Sequence, residues 1–180
     1  GIYTIAAQSE DERVARDYIL SHQADAVIQV VDASNLQRNL YLTTQIIEMQ
    51  VPLILVLNMM DLLETNKLHL ELEHFQKHVD CPVIPVIASR NQGIKELIEQ
   101  IKIIASDHHV SSTKISYDSI VEMAVKDIEP KVIPFAEKYN ISLRWLSLRI
   151  LEDEHVAEKY TDNMLKKEIS EQVKRIEHHT

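Results

Sequence analysis

The sequence predicts an α/β domain with a parallel sheet, followed by a small α-helical bundle. Three observations predict it. Short apolar, β-branched runs stand at 26–32, 53–57 and 83–87, helical patterns separate them, and only helical periodicity is visible after residue 117. Strands alternating with helices imply right-handed crossovers and hence parallel pairing.

The elements follow in order. "AVIQVVD" (26–32) reads as a buried strand. Ser34 is placed to cap a following helix, along which Leu36, Leu40, Thr43, Ile47 and Met49 recur near helical spacing. "LILVL" (53–57) repeats the buried-strand pattern. "LHLELEHFQKHV" (68–79) alternates locally, but its length, its charges and the His74/His78 spacing favour a helix. "VIPVI" (83–87) is the third strand, and "GIKELIEQIKIIA" (93–105) is an amphipathic helix. "SDHHVSST" (106–113) is polar and reads as a linker, which divides the chain into domains at 1–105 and 106–180. In the second domain a helix through Ile120, Val121, Ala124, Val125 and Ile128 is expected to break at Pro130. Further helices are expected at about 131–139, 142–151 and 161–177, with Pro130 and Pro134 in first-turn positions. Trp145, Leu148 and Leu151 fall on one face as core.

Composition narrows the function classes. The 180 residues are 45% hydrophobic and 26% charged, an ordinary globular mixture. A net charge of -9 argues against a general nucleic-acid binder, which needs clustered cations for phosphates. The single Cys81 has no partner for an internal disulfide and fits a reducing cytosol. No apolar run approaches the ~20 residues that cross a bilayer. Only two glycines occur, Gly1 and Gly93, whereas a nucleotide-binding α/β protein normally places several in a phosphate loop. With the missing initial methionine, this reads as a piece of a longer polypeptide.

The chemistry concentrates in "VPLILVLNMMDLL" (51–63), where an apolar strand ends in Asn58 and Asp61. Ligands of parallel sheets sit beyond the carboxyl ends of strands. A carboxylate there accepts two hydrogen bonds from the N1–H and exocyclic amino group of guanine, a donor pair that adenine lacks. The asparagine amide meets N7 and braces the loop. Taken alone, N-x-x-D is a weak signal, and a turn with an aspartate cap on the next helix accounts for it more readily.

Longer stretches add to it. "GIYTI…SEDERVARDYI", "ADAVIQVVDASNLQRNLYLTTQIIEM", "VPLILVLNMMD" and "CPVIPVIASRNQGIKEL" resemble the bacterial ferrous-iron transport protein B family, specifically its cytosolic G-protein domain and the helical domain after it. The resemblance is dense to about Leu97 and looser through "LRWLSLRILE" to the end. It implies a Ras-like P-loop GTPase fold, incomplete at its amino end. It also implies binding of GTP and GDP, with Mg²⁺ in the complete protein. GTP hydrolysis would be coupled to Fe²⁺ passage through a carboxyl-terminal transmembrane domain of the same polypeptide. This portion would then face the cytosol at the bacterial inner membrane, and a homo-oligomer is left open.

Roles carry over position by position. Asn58 and Asp61 match the guanine-specificity motif, with Met59 where many G proteins carry lysine. Ala88 matches the residue whose backbone N–H meets the base oxygen. Ser89 replaces the lysine of the commonest pattern, Arg90 follows, and the thinner cover over the base implies fast nucleotide release. Gly1 matches the glycine ending the D-x-x-G motif, and residues 2–17 match the second switch. Ile2 stands where Ras-like enzymes orient water with glutamine, so the catalytic group is left unassigned. The phosphate loop, the magnesium-binding hydroxyl and the first switch find no counterpart. The helical domain is expected to slow GDP dissociation.

The nine histidines raise a metal site, but His74 and His78 lack an evident third ligand, and a solvated helix is the expected reading. His108-His109 and His178-His179 read as loop and tail, and Glu10-Asp11-Glu12 as an acidic first turn. Two rivals remain: a bacterial GTPase of RNA or ribosome maturation, and a nucleotide-free interaction module.

Overall fold

The computed structural model describes residues 9–65 and 70–177. Gly1, Ile2, His178 and His179 lie outside the described residues. Contacts divide the chain into two compact units, with the boundary after Thr113, and the amino-terminal turn up to Arg13 groups with the second.

Helix α1 (Glu10–Leu20), which enters the first unit at Val14, opens on a reciprocal cap. Ser9 N–H donates to Glu12 Oε2 at 3.1 Å, and Glu12 N–H donates to Ser9 Oγ at 3.3 Å. The acidic run is therefore a capped helix start. Strand β1 (Val27–Asp32) pairs in parallel with β2 (Leu53–Asn58), and β2 with β3 (Val83–Pro85), in the order β1-β2-β3. Period-2 alternation sends Ile54, Val56, Ile84 and Val86 to one face. There they pack with Ile104, Ile94, Leu97 and Ile101 of helix α5 (Ile94–Asp107). Ile28 and Val30, in register with Ile54 and Val56, share that face but are exposed. Helix α2 (Leu36–Glu48) packs on β1 and β2 and buries Leu42, Thr43, Ile46 and Ile47. Gln29 Nε2 ties strand to helix by donating to the Asn39 carbonyl at 3.2 Å.

Ser34 does not cap α2. It lies inside a short 3₁₀ turn, Ala33–Asn35, capped by Asp32, whose Oδ1 accepts from Ser34 N–H at 2.9 Å and from Ser34 Oγ at 2.7 Å. The carboxylate ending the strand thus holds Ser34 in the turn, and Asn35 leads into α2 without a side-chain cap. Helices α3 (Met60–Thr65) and α4 (Leu72–Val79) connect β2 to β3.

The stretch read as a linker is pinned to this unit. Ser106 and Asp107 finish α5. Ser111 Oγ donates to the Val79 carbonyl at 2.8 Å, and Thr113 Oγ1 to the His78 carbonyl at 2.8 Å. These hydroxyls satisfy carbonyls that the end of α4 leaves without helical partners. Asp80, the left-handed cap of α4 (φ 48°), accepts from both N–H and Oγ of Ser112 at 2.7 Å.

The second unit contains α6 (Ser119–Tyr139), α7 (Leu143–Glu152), α8 (Glu154–Tyr160) and α9 (Asn163–Glu177). The predicted break at Pro130 does not occur, because α6 runs unbroken through Pro130 and Pro134. Both prolines and Lys126 are exposed, whereas Val125, Ile128, Val132 and Ala136 are buried. A carbonyl that loses its helical donor on the wet side is taken up by water, so burial of the other face decides the outcome. Ser142 caps α7 by accepting from Trp145 N–H at 3.3 Å. Trp145 and Leu148 are almost wholly enclosed and Leu151 is buried, as expected. Every residue between Trp145 and Leu151 is buried too, so α7 is buried all round rather than on one face. Helix α8 was not anticipated. Asp153 caps it through a bond from His155 N–H at 2.9 Å.

Candidate functional site

The carboxyl ends of β1 and β2 deliver Asp32 and Asn58 side by side, since the two are partners in the parallel register. Beyond Asn58 the chain must turn sharply into α3. Met59 does so in the left-handed region, at φ 62°. A side chain with a Cβ resists that conformation, at a cost on the order of 1–2 kcal/mol. Met59 is also exposed, so no burial of its own side chain holds it there.

The turn places Asp61 in the first turn of α3. Its Oδ2 lies 3.6 Å from Arg90 Nη2, with the Asp61 side chain largely covered and Arg90 exposed. Arg90 belongs to a second loop, built after β3. In that loop Ile87 and Gln92 form an antiparallel bridge, and residues Ala88–Arg90 make a 3₁₀ turn. Asn91 closes the turn at φ 55°. Gly93 then starts α5 at φ 77°, and a Cβ there would stand 2.3 Å from the Pro85 carbonyl oxygen. Only glycine fits both the angle and the space.

A side-chain-to-backbone bond also ties the two loops. Asn58 Oδ1 accepts from the Ala88 N–H at 3.1 Å. This N–H was expected to face the base oxygen of a nucleotide, but it is occupied inside the protein as the brace of the loop. Ser89, the next residue, is exposed. Asn58, Met59, Asp61, Ala88 and Ser89 thus gather at one edge of the sheet, while Gly1 lies outside the described residues.

Sequence reasoning passed over three contributors. Asp32 is the register partner of Asn58, and its position at a strand end was the available signal. Arg90 was noted without a role, and only the fold puts it beside Asp61. Gly93 was read as a helix start, although its rarity in this chain pointed to a backbone requirement. His74 and His78 lie away from these loops, on α4. Among the described residues no three His, Cys, Asp or Glu side chains form a metal-holding group. Cys81 is buried, and burial, with Asp80 adding to it, pushes its thiol up to about 12. It is therefore not a nucleophile at neutral pH.

Comparison with known proteins identifies the family. The family model described as ferrous iron transport protein B matches residues 1–101, and that of the FeoB cytosolic helical domain matches residues 117–180. The Fe(2+) transporter FeoB of Escherichia coli K12 is 36% identical over 159 residues, covering 87% of this chain and 20% of the transporter. The FeoB of Salmonella typhimurium is 34% identical over the same length. The chain therefore spans about a fifth of the curated relatives it matches. Among solved structures, the mGMPPNP-bound NFeoB from S. thermophilus has a TM-score of 0.82 at 30% identity, covering 99% of this chain and 67% of that one. The same protein bound to GDP, AlF4- and K+ gives a TM-score of 0.85 at 31% identity, covering 99% and 69%. Both domains of the family are matched in order along one chain, on a Ras-like parallel sheet followed by a helical bundle, and the chain belongs to the ferrous iron transport protein B family.

Proposed function

We propose that this chain is the guanine-reading and helical part of a GTP-hydrolysing cytosolic region of a Fe²⁺ transporter. The observation that carries the reading is the Asn58–Ala88 bond, which holds the Asp61 loop and the Ala88–Arg90 turn together at the strand ends. In this reading Asp61 accepts the N1–H and amino group of guanine. A carboxylate has about four acceptor positions, enough for Arg90 and two base donors together. Because the Ala88 N–H braces the loop, the Ser89 N–H is the donor to the base oxygen; the first amides of a helical turn have no partner within it. Met59 lies against the base with its apolar stem. Gly1 reaches the terminal phosphate.

The roles of the domains follow the same division, residues 1–105 reading the nucleotide and 106–180 slowing its release and passing its state to a transmembrane domain of the same polypeptide. No helix among the described residues is long and apolar enough to cross a membrane. The remaining phosphate contacts and Mg²⁺ are assigned to segments of the family that this chain does not match. The observations favour this reading over an RNA-maturation GTPase, given the net charge of -9 and the match to the helical domain.

The test uses the complete polypeptide and a fluorescent GDP analogue. GTP and GDP should displace it and ATP should not, and Asp61→Ala should weaken binding by roughly 2–4 kcal/mol. Equal displacement by ATP, or unchanged affinity in the variant, would overturn the assignment.

A further inference from the structure

We propose that His74 and His78 form a two-histidine site for a late first-row divalent cation of the Cu²⁺ or Ni²⁺ class. The two residues are one turn apart on α4, both are exposed, and their Nε2 atoms are 3.0 Å apart with the rings at 83°. That separation is a hydrogen bond between the rings, and it shows that the two Nε2 edges can converge to a distance a cation could bridge once the rings turn. With metal–nitrogen bonds of about 2.0–2.1 Å, it corresponds to an N–metal–N angle of about 90–97°. Such an angle suits adjacent corners of a square-planar or octahedral ion, whereas a tetrahedral ion would hold the nitrogens about 3.3 Å apart.

The chemistry of the pair agrees with the geometry. In the structure one Nε2 must donate to the other, so one ring carries its proton at Nε2. When a cation enters, that ring moves its proton to Nδ1, and both Nε2 lone pairs turn to the metal. No net charge change is needed on the protein. Imidazole nitrogen favours copper and nickel, with zinc weaker, and offers little to hard cations such as Mg²⁺. Among the described residues no third ligating side chain completes the set, so water fills the other positions and binding is reversible.

The site acts on the last turn of α4. That turn presents the His78 and Val79 carbonyls, which accept from Thr113 and Ser111. A metal bridging residues 74 and 78 therefore staples the turn that anchors residues 111–113. The proposal does not depend on the guanine-reading assignment.

The test is a titration of the tag-free chain with NiCl₂ and CuCl₂, followed by calorimetry and by the electron paramagnetic resonance spectrum of the copper form. One equivalent should bind with nitrogen coupling in the copper spectrum, and metal should slow hydrogen exchange of the 111–113 amides. His74→Gln and His78→Gln should each weaken binding at least about tenfold, the loss of one coordinate bond being worth more than 1.4 kcal/mol. Both positions are exposed, so circular dichroism is expected to show unchanged folding. Full binding in the doubly substituted chain, or absence of nitrogen coupling in the wild type, would overturn the proposal.

Discussion

Asn58 and Ala88 are thirty residues apart in sequence, yet the Asn58 side chain accepts the Ala88 N–H at 3.1 Å. One side-chain oxygen thereby fixes the distance between the loop after β2 and the loop after β3. In the function proposed above guanine is read by both loops at once, and there this bond would set the width of the base slot.

Replacing Asn58 by alanine should loosen the slot without changing which base it accepts. The Ala88 N–H is at an exposed residue and water can replace the lost acceptor, so the stability cost should be near 1 kcal/mol. Guanine nucleotide affinity of the complete polypeptide should fall, with the preference over adenine retained. Urea unfolding and competition binding check the two statements separately, and an Asn58→Ala protein that binds ATP would contradict the division of roles with Asp61.

Gly93→Ala should be destabilising by more than the ordinary glycine-to-alanine change. The added Cβ meets the Pro85 carbonyl oxygen at 2.3 Å, and the backbone is held at φ 77°. Strain at such a site is on the order of 1–3 kcal/mol, and the clash with main chain adds to it. A variant as stable as the wild type by denaturant titration would mean that α5 starts differently from the structure described.

Asp80 gives a pH dependence with a definite sign. The bonds from the Ser112 hydroxyl, then the Ser112 N–H, and the neighbouring His109 hold its carboxyl below the ordinary value of 3.8. A group whose folded value is depressed stabilises the protein above its unfolded value and loses that contribution as pH falls through the folded one. The wild type should therefore be more stable than Asp80→Asn above about pH 4 to 5, and the gap should close on acidification below 3.8. Paired unfolding curves between pH 3 and pH 7 measure it. A gap that widens on acidification would reverse the assignment.

Pro130→Ala should stabilise α6. The proline removes a donor to the Lys126 carbonyl in an otherwise continuous helix, and alanine restores it. The interior penalty of about 3 kcal/mol is offset in part by the lower entropy of proline in the unfolded chain, so a net gain of roughly 1–2 kcal/mol is expected. Thermal unfolding measures it. A lower melting temperature would mean that the proline is needed for the path of the helix.

The sequence by itself determined the strands, the parallel sheet, and the placement of Asn58 and Asp61 at a strand end. Each of these depends on local hydrophobic patterning. The runs at 53–57 and 83–87 are apolar on both faces, which is how a strand buried in a parallel sheet reads, whereas in the run at 26–32 Ile28 and Val30 stay exposed on one face. Trp145 and Leu148 were legible as core from their apolar character, whereas the burial of Ser147 and Arg149 on the same helix was decided by the helices around it. Tertiary structure decided what depends on groups meeting through space. Ser34 was drawn into a 3₁₀ turn capped by Asp32, whose carboxylate ends the strand beside it, and Asn35 leads into α2 without a side-chain cap. The Ala88 N–H went to Asn58, and Arg90 to Asp61, because parallel pairing brings the loops after β2 and β3 to one edge. Proline chemistry predicted a break at Pro130, but burial of Val125, Ile128, Val132 and Ala136 outweighed one lost hydrogen bond on a solvated face. A polar stretch read as a linker became a pinned segment because its hydroxyls found the open carbonyls at the end of α4. Periodicity reports which face of an element is apolar; it carries no record of which polar group another element will bring within 3 Å.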